Sequence, residues 1–239
     1  MSYKIESIRK MITIANEYKT RFMSMDISDI KMCISKGNKK IGRVMNVSLM
    51  PVMTCSNCKE CKFLCYDIKA CLQYPDTVIN ARMRNTVLAM RDRAEYFNRI
   101  EKAIARRRKN KFFRWHVAGD IIDYSYFENM VQIAVNHPDF VFWTYTKNYA
   151  VVNQYVKDHG NSMDSAIPSN LHIMFSEWDG MTMVNPYNFP VFACRLKDGN
   201  KNRTDESFRA MHLCPGNCDI CKNCGRGCVA GESSYVNEH

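Results

Sequence analysis

The sequence predicts an α/β fold: a partial parallel barrel or open parallel sheet with flanking helices, whose cysteine-rich loops near both ends form a metal-cluster region. Two observations predict it. From residue 111 to residue 194, short β-rich apolar runs alternate with segments of helical periodicity, the order that yields a parallel sheet with right-handed crossovers. Ten of the 12 cysteines fall in two short runs, 55–71 and 214–228, a crowding that core packing does not produce.

The elements follow in order. Residues 4–20 read as an amphipathic helix with Ile5, Ile8, Ile12 and Ala15 on one face. Residues 43–53 (RVMNVSLMPVM) read as extended and lead into the first cysteine run. Residues 75–109 read as mainly helical, in one or two pieces, with Phe97, Ile100 and Ile104 as the clearest stripe. The Arg106–Lys109 run closes it, where positive charge complements a helix C-terminus; a solvated helix end is the plainer reading of that run, a nucleic-acid patch the other. Strands are expected at 111–118 (KFFRWHVA), 140–146 (FVFWTYT), 171–176 (LHIMFS) and 189–194 (FPVFAC), and helices at 125–136 and 148–158. Phe127, Met130 and Ala134 are in phase on the first of these helices. The division expected is a single domain, 1–239, with a helical segment 1–40, cysteine-rich segments 41–75 and 201–239, and an α/β core 76–200.

Parallel α/β structures form sites at the carboxyl ends of their strands. Those ends hold His116 with Gly119-Asp120, then Thr146-Lys147, Ser176-Glu177-Trp178 and Cys194-Arg195. Asp120, Lys147 and Glu177 are the catalytic candidates: Lys147 to hold an anion, Glu177 or Asp120 to move a proton. Asp120 also suits the plain task of opening a turn, and His116 suits a core position.

The cysteine spacing carries the chemistry. Cys55-x2-Cys58-x2-Cys61-x3-Cys65 is followed by Cys71, and Cys218-x2-Cys221-x2-Cys224-x3-Cys228 is preceded by Cys214. Both contain the bacterial ferredoxin spacing, in which two-residue gaps let a tight loop aim successive sulfurs at one cube of iron. In two-cluster ferredoxins the fourth cysteine of each run serves the other cluster, so the runs are expected together in space. The expected cofactor is therefore iron–sulfur, two [4Fe–4S] clusters or a larger assembly, on Cys55, Cys58, Cys61, Cys65, Cys71, Cys214, Cys218, Cys221, Cys224 and Cys228. Two cubanes need eight sulfurs, so two of the ten are spare or the assembly is larger. Zinc on paired knuckles is the alternative metal. Cys214-x3-Cys218-x2-Cys221 also has the spacing of radical S-adenosylmethionine enzymes, though it lies after the strands rather than after the first of them. Cys33 reads as a buried thiol, and Cys194 ranks below the ten as a ligand.

The formal net charge of +10 permits an anionic partner, but metal-bound thiolates would make the loaded protein less basic. Nucleic acid is thus possible and not required. Trp115 and Trp143 sit in strand candidates, where packing competes with base stacking. The charge-broken start shows no signal-peptide apolar stretch, and no run approaches the ~20 apolar residues of a membrane helix. No membrane partner is expected.

From about Asn38 to the C-terminus the sequence resembles the phage "gene product 88" family. The carrying segments are NKKIGRVMNVSL with the first cysteine run, FRWHVAGDI, FWTYTK, LHIMFSEW, NPYNFP and the closing CPGNCDIC…GESSYVNEH. The resemblance implies a protein of phage or prophage origin at work in the host cytoplasm, and implies no reaction. Cys58 and Cys224 add to the family's cysteine pattern. The function expected is an iron–sulfur redox protein: a carrier, an oxygen-sensitive or reductive enzyme, or a sensor. Its partner would be an electron donor or acceptor protein or an anionic small molecule. A zinc-binding nucleic-acid or partner-binding module is the alternative.

Overall fold

A computed structural model describes residues 5–39 and 41–238; of the first expected helix, residue 4 lies outside them. The chain forms two compact units, each assembled from several segments. One takes the chain up to Ser35 with Val47–Arg108 and His116–Ile122; the other takes Lys36–Asn46, Lys109–Trp115 and everything from Asp123 onward.

The first unit is helical. α1 (Ile5–Met23) packs on α2 (Tyr66–Gln73) and α3 (Asn80–Arg91), and α3 packs on α4 (Arg93–Ala105). The buried stripe of α1 is Ile8, Met11, Ala15 and Phe22, a three-four-seven spacing that follows one face. The expected face was therefore rotated: Ile12 is half-buried and Ile5, in the first turn, is 53% exposed. Phe97, Ile100 and Ile104 of α4 are buried as the periodicity requires. Asp92 caps α4 by accepting from the Glu95 amide at 2.9 Å. A π-helical turn, Pro75–Ile79, joins α2 to α3.

Two buried polar groups tie the first unit's loops down. Asn85 accepts from the Cys33 amide at 2.8 Å and donates to the Cys33 and Ser48 carbonyls at 2.8 and 3.0 Å. Cys33 is thus held by its backbone, and its residue is half-buried rather than buried. β1 (Ile34–Ser35) follows it. His116 is 3% exposed and has φ of 51°, a left-handed backbone that ends the extended run. Burial pushes its imidazole down to about 3. The unfolded chain takes up that proton near the ordinary value of 6.5, so His116 favours folding above about pH 6.5 and the benefit is lost as pH falls toward 3. Wild-type stability should therefore fall by about 1.4 kcal/mol per pH unit more steeply than that of His116→Asn between about pH 6 and 4, with Asn chosen because it tolerates positive φ. Parallel slopes in urea titrations would contradict this assignment.

The second unit is built on a parallel sheet. β2 (Met45–Val47), whose Met45 and Asn46 belong here, pairs with β3 (Phe112–Arg114), and then come β4 (Val141–Thr146), β5 (Leu171–Ser176) and β6 (Val191–Arg195). The order continues β6-β8-β7, with β7 at His212–Leu213 and β8 at Ser234–Asn237, and every one of these pairs is parallel. The linear order is that of an open sheet. Helices α5 (Tyr124–Asn136), α6 (Tyr149–Asp158) and the short α7 (Met163–Ala166) connect the middle strands, and a short α8 (Asp205–Arg209) precedes β7. The crossover pattern β4-α6-β5 is the one expected of the alternating sequence.

Corrections here are local. The 111–118 strand shortens to three residues, although Trp115 still donates to the Trp143 carbonyl at 2.9 Å. The 43–53 run keeps only three strand residues before turning. The closing SYVN becomes β8, a strand not expected from the sequence, inserted between β6 and β7.

Strand alternation divides the sheet into two faces. On one, Phe142 stacks among Phe113, Phe140 and Trp115, while Phe175 meets Tyr149 of α6. On the other, Val141, Trp143 and Tyr145 of β4 join Met174 of β5 and Phe192 of β6. That second face is covered by Cys218, Cys221, Cys228 and Val229.

Candidate metal centres

All twelve cysteines are free thiols. In the first unit, the Cys58 amide closes a turn onto the Cys55 carbonyl at 3.3 Å, and a 3₁₀ helix, Glu60–Leu64, carries Cys61. The turn places three sulfurs side by side. The Cys58 thiol is hydrogen-bonded to those of Cys55 and Cys61, which, with burial, pushes its proton affinity up. Cys65 sits at the N-cap position of α2. Its side chain makes no cap hydrogen bond, and the Ile68 amide donates instead to the Cys65 carbonyl at 3.1 Å; burial, followed by the nearby Asp67 carboxylate, raises the thiol to about 11.

Cys71 is engaged differently. It lies on α2, fully buried, and receives Arg82 Nη1 at 3.3 Å; its own thiol donates to Asp67 Oδ2 at 3.8 Å. Arg82 and Asp67 form an ion pair whose carboxylate side chain is 2% exposed. Burial, followed by the Asp67 charge, lifts Cys71 to about 12.

The second unit arranges its run on the sheet. Cys214 follows β7, its amide donating to the Tyr235 carbonyl at 2.7 Å. Asn217 caps α9 (Cys218–Cys224) by accepting from the Asp219 amide at 2.8 Å. Gly225, at φ 62°, ends that helix in the left-handed conformation. Asp219 pairs with Lys222 and accepts from the Arg43 amide at 3.2 Å. A 3₁₀ turn, Gly227–Ala230, returns Cys228 to the sheet. Cys221 is pushed to about 12, first by burial and then by the charges of Cys214, Cys228, Cys218 and Cys224 around it. Burial raises Cys228 to about 11, opposed by the neighbouring Tyr145 and Ser234 hydroxyls, of which that of Ser234 donates to the Glu232 carbonyl at 3.0 Å. Burial raises Cys218 as well, while Arg114 beside it acts to lower it. The Arg114 guanidinium stands 4.6 Å over the Tyr145 ring. His212 Nε2 lies 3.7 Å from Cys221 Sγ. Gly227 makes that approach possible, because a Cβ there would stand 2.6 Å from His212 Cδ2.

Among the described residues no group of three or more His, Cys, Asp or Glu side chains stands arranged so that it could hold a metal ion. Thiols that bind a metal give up their protons as it enters.

The strand-end candidates are engaged too. In the second unit, Lys147 Nζ donates to Ser176 Oγ at 2.9 Å, and Glu177 is ion-paired with Arg203 at 2.7 Å. In the first unit, Asp120 is 5% exposed and accepts from the Ile121 amide at 2.7 Å, the turn-opening task. Cys194 is half-buried on β6, its thiol raised by burial and Glu238. The Arg106–Lys109 run follows α4, with Arg106, Arg108 and Lys109 exposed.

Sequence reasoning missed the neighbours of the sulfurs. Alternation along FVFWTYT does place Trp143 and Tyr145 on one face, so that signal was available. Arg82, Arg114, His212 and Ser234 reach the thiols only through the fold.

A family model described as Gene product 88 matches residues 26–183, a span that contains the first cysteine run and ends before the second. No curated protein and no solved structure matches the chain. Among the described residues no helix is long and apolar enough to cross a membrane.

Proposed function

The chain belongs to the gene product 88 family, and we propose that in this phage-type protein the two cysteine runs hold iron–sulfur clusters for one-electron redox work. The observation that carries the reading is the packing of Cys218, Cys221 and Cys228 of one run together against an apolar sheet face. The donor set fits: soft thiolates are the ligands of such clusters. The Trp143 indole N–H supports it as well. It is buried, has no acceptor among the described residues, and packs in the same group as Cys221 and Cys228; cluster sulfur supplies acceptors of the kind it lacks.

When bound, a cluster of this type supplies an electron donor and acceptor. The chain's own residues do the rest. The Tyr145 hydroxyl beside Cys228 and the Arg114 guanidinium beside Cys218 can donate toward sulfur, which offsets the negative charge of thiolates held away from water. Val44, Trp143 and Met174 exclude water from one side of the second run. A carrier requires nothing more than these and a partner protein that gives or takes the electron. An enzyme form of the reading uses Lys147 to hold a small anion, and Asp120 or Glu177 to move a proton; Glu177 would first have to release Arg203.

The test is the visible spectrum of anaerobically purified protein before and after dithionite. Broad absorption that bleaches on reduction and returns on mild oxidation is the expected result. A colourless protein would overturn the reading. The second reading, a zinc-stabilised binding module, is favoured by one observation: the His212 imidazole beside Cys221 offers the mixed nitrogen and sulfur donors that zinc accepts.

A further inference from the structure

We propose that the two cysteine runs close on Cys55, Cys58, Cys61 and Cys65 in the first unit and on Cys214, Cys218, Cys221 and Cys228 in the second, leaving Cys71 and Cys224 outside both ligand sets. The inference deepens the reading above by choosing eight sulfurs from ten, a choice the spacing alone leaves open.

In the second unit the choice rests on packing. Cys218, Cys221 and Cys228 lie against the Trp143 and Met174 face, and Cys221 and Cys228 are each 8% exposed. Cys224 belongs to no such contact. It is exposed at the last residue of α9, and its thiol is turned back onto the Cys221 carbonyl at 3.5 Å. His212 of β7 brings its Nε2 to 3.7 Å from Cys221 Sγ, and Cys214 follows two residues later with its amide on the Tyr235 carbonyl at 2.7 Å. Cys214 therefore completes the set from the end of β7.

The first unit divides in the same way. Cys55 and Cys58 share one turn, the Cys58 amide donating to the Cys55 carbonyl at 3.3 Å, and Cys61 and Cys65 lie on and at the end of the 3₁₀ helix Glu60–Leu64 that follows it. Cys71 has its sulfur committed to Arg82 and Asp67. Drawing it into a metal site would strip the guanidinium of one partner and set a thiolate beside a buried carboxylate, which costs several kcal/mol in a dry setting.

The experiment compares the full-length wild type with Cys71→Ser, Cys224→Ser, Cys58→Ser, Cys221→Ser and His212→Ala. All are purified anaerobically and assayed for iron, zinc and acid-labile sulfide per folded chain, with folding followed by far-ultraviolet circular dichroism. Cys71→Ser, Cys224→Ser and His212→Ala should keep the wild-type metal content, while Cys58→Ser and Cys221→Ser should each lose about half of it. Loss of half the metal in folded Cys224→Ser, Cys71→Ser or His212→Ala overturns the assignment. So does full retention in Cys221→Ser or Cys58→Ser, or a wild type that binds no metal. The same pattern read in zinc without sulfide upholds the ligand sets and overturns the iron–sulfur reading, so the two claims fail separately.

Discussion

Replacing Arg82 by Met should destabilise the protein by about 3–5 kcal/mol at neutral pH, the cost of leaving a buried carboxylate without its partner. The Asp67 side chain is 2% exposed and that of Arg82 14%. Burial raises Asp67 to about 6, and the Arg82 charge opposes the rise. The pair bears on the first cysteine run because Asp67 lies in the first turn of α2, two residues after Cys65, and Arg82 also holds Cys71. The sign of the pH dependence follows from a folded-state value above the ordinary 3.8. The native state binds this proton more tightly than the unfolded chain, so the penalty of the buried charge is absent below about pH 4 and grows as pH rises through 6. Without Arg82 the carboxyl rises further, so the loss in Arg82→Met should be larger at about pH 8 than at about pH 5. Anaerobic urea unfolding at both values measures it, and Asp67→Asn in the same chain should restore more than half. A loss under about 1 kcal/mol would mean that the pair is solvated.

The second large effect is expected at Trp143. Trp143→Ala should cost about 3–5 kcal/mol, since it removes a fully buried indole and the surrounding strands cannot close the space. Its neighbours Val44 and Met174 sit on other strands or loops, with Cys221, Cys228 and Val229 on the covering segment. The cavity would therefore open directly beneath the sulfurs. Trp143→Phe should lose less, because the ring is retained in part. The thermal midpoint of each variant against wild type checks the order. A Trp143→Ala protein as stable as wild type would show that the covering segment collapses into the gap.

The parallel sheet was legible because its strands are dense in β-branched and aromatic residues and its helices keep their period. LHIMFS forms a strand with the expected bounds, and residues 125–136 lose only their cap, Asp123, and first residue to the reading. β8 was not legible. Its SYVN is short and half-polar, and it is a strand because β6 and β7 pair with it on both sides. The face of α1 failed for a related reason: Ile5 and Met11 are equally apolar, and only α2 and α3 decide which is covered. At the candidate site, spacing named the ten sulfurs but could not rank them. Cys71 and Cys224 are set apart by Arg82 and by a helix end, and neither fact is written in a cysteine interval.

The measurement that bears most directly on the central claim is iron, zinc and acid-labile sulfide assayed together on one anaerobic sample of the wild-type chain. The account predicts iron and sulfide in equal amounts, about four of each per centre and about eight per chain. Zinc without sulfide, or neither metal, would contradict it.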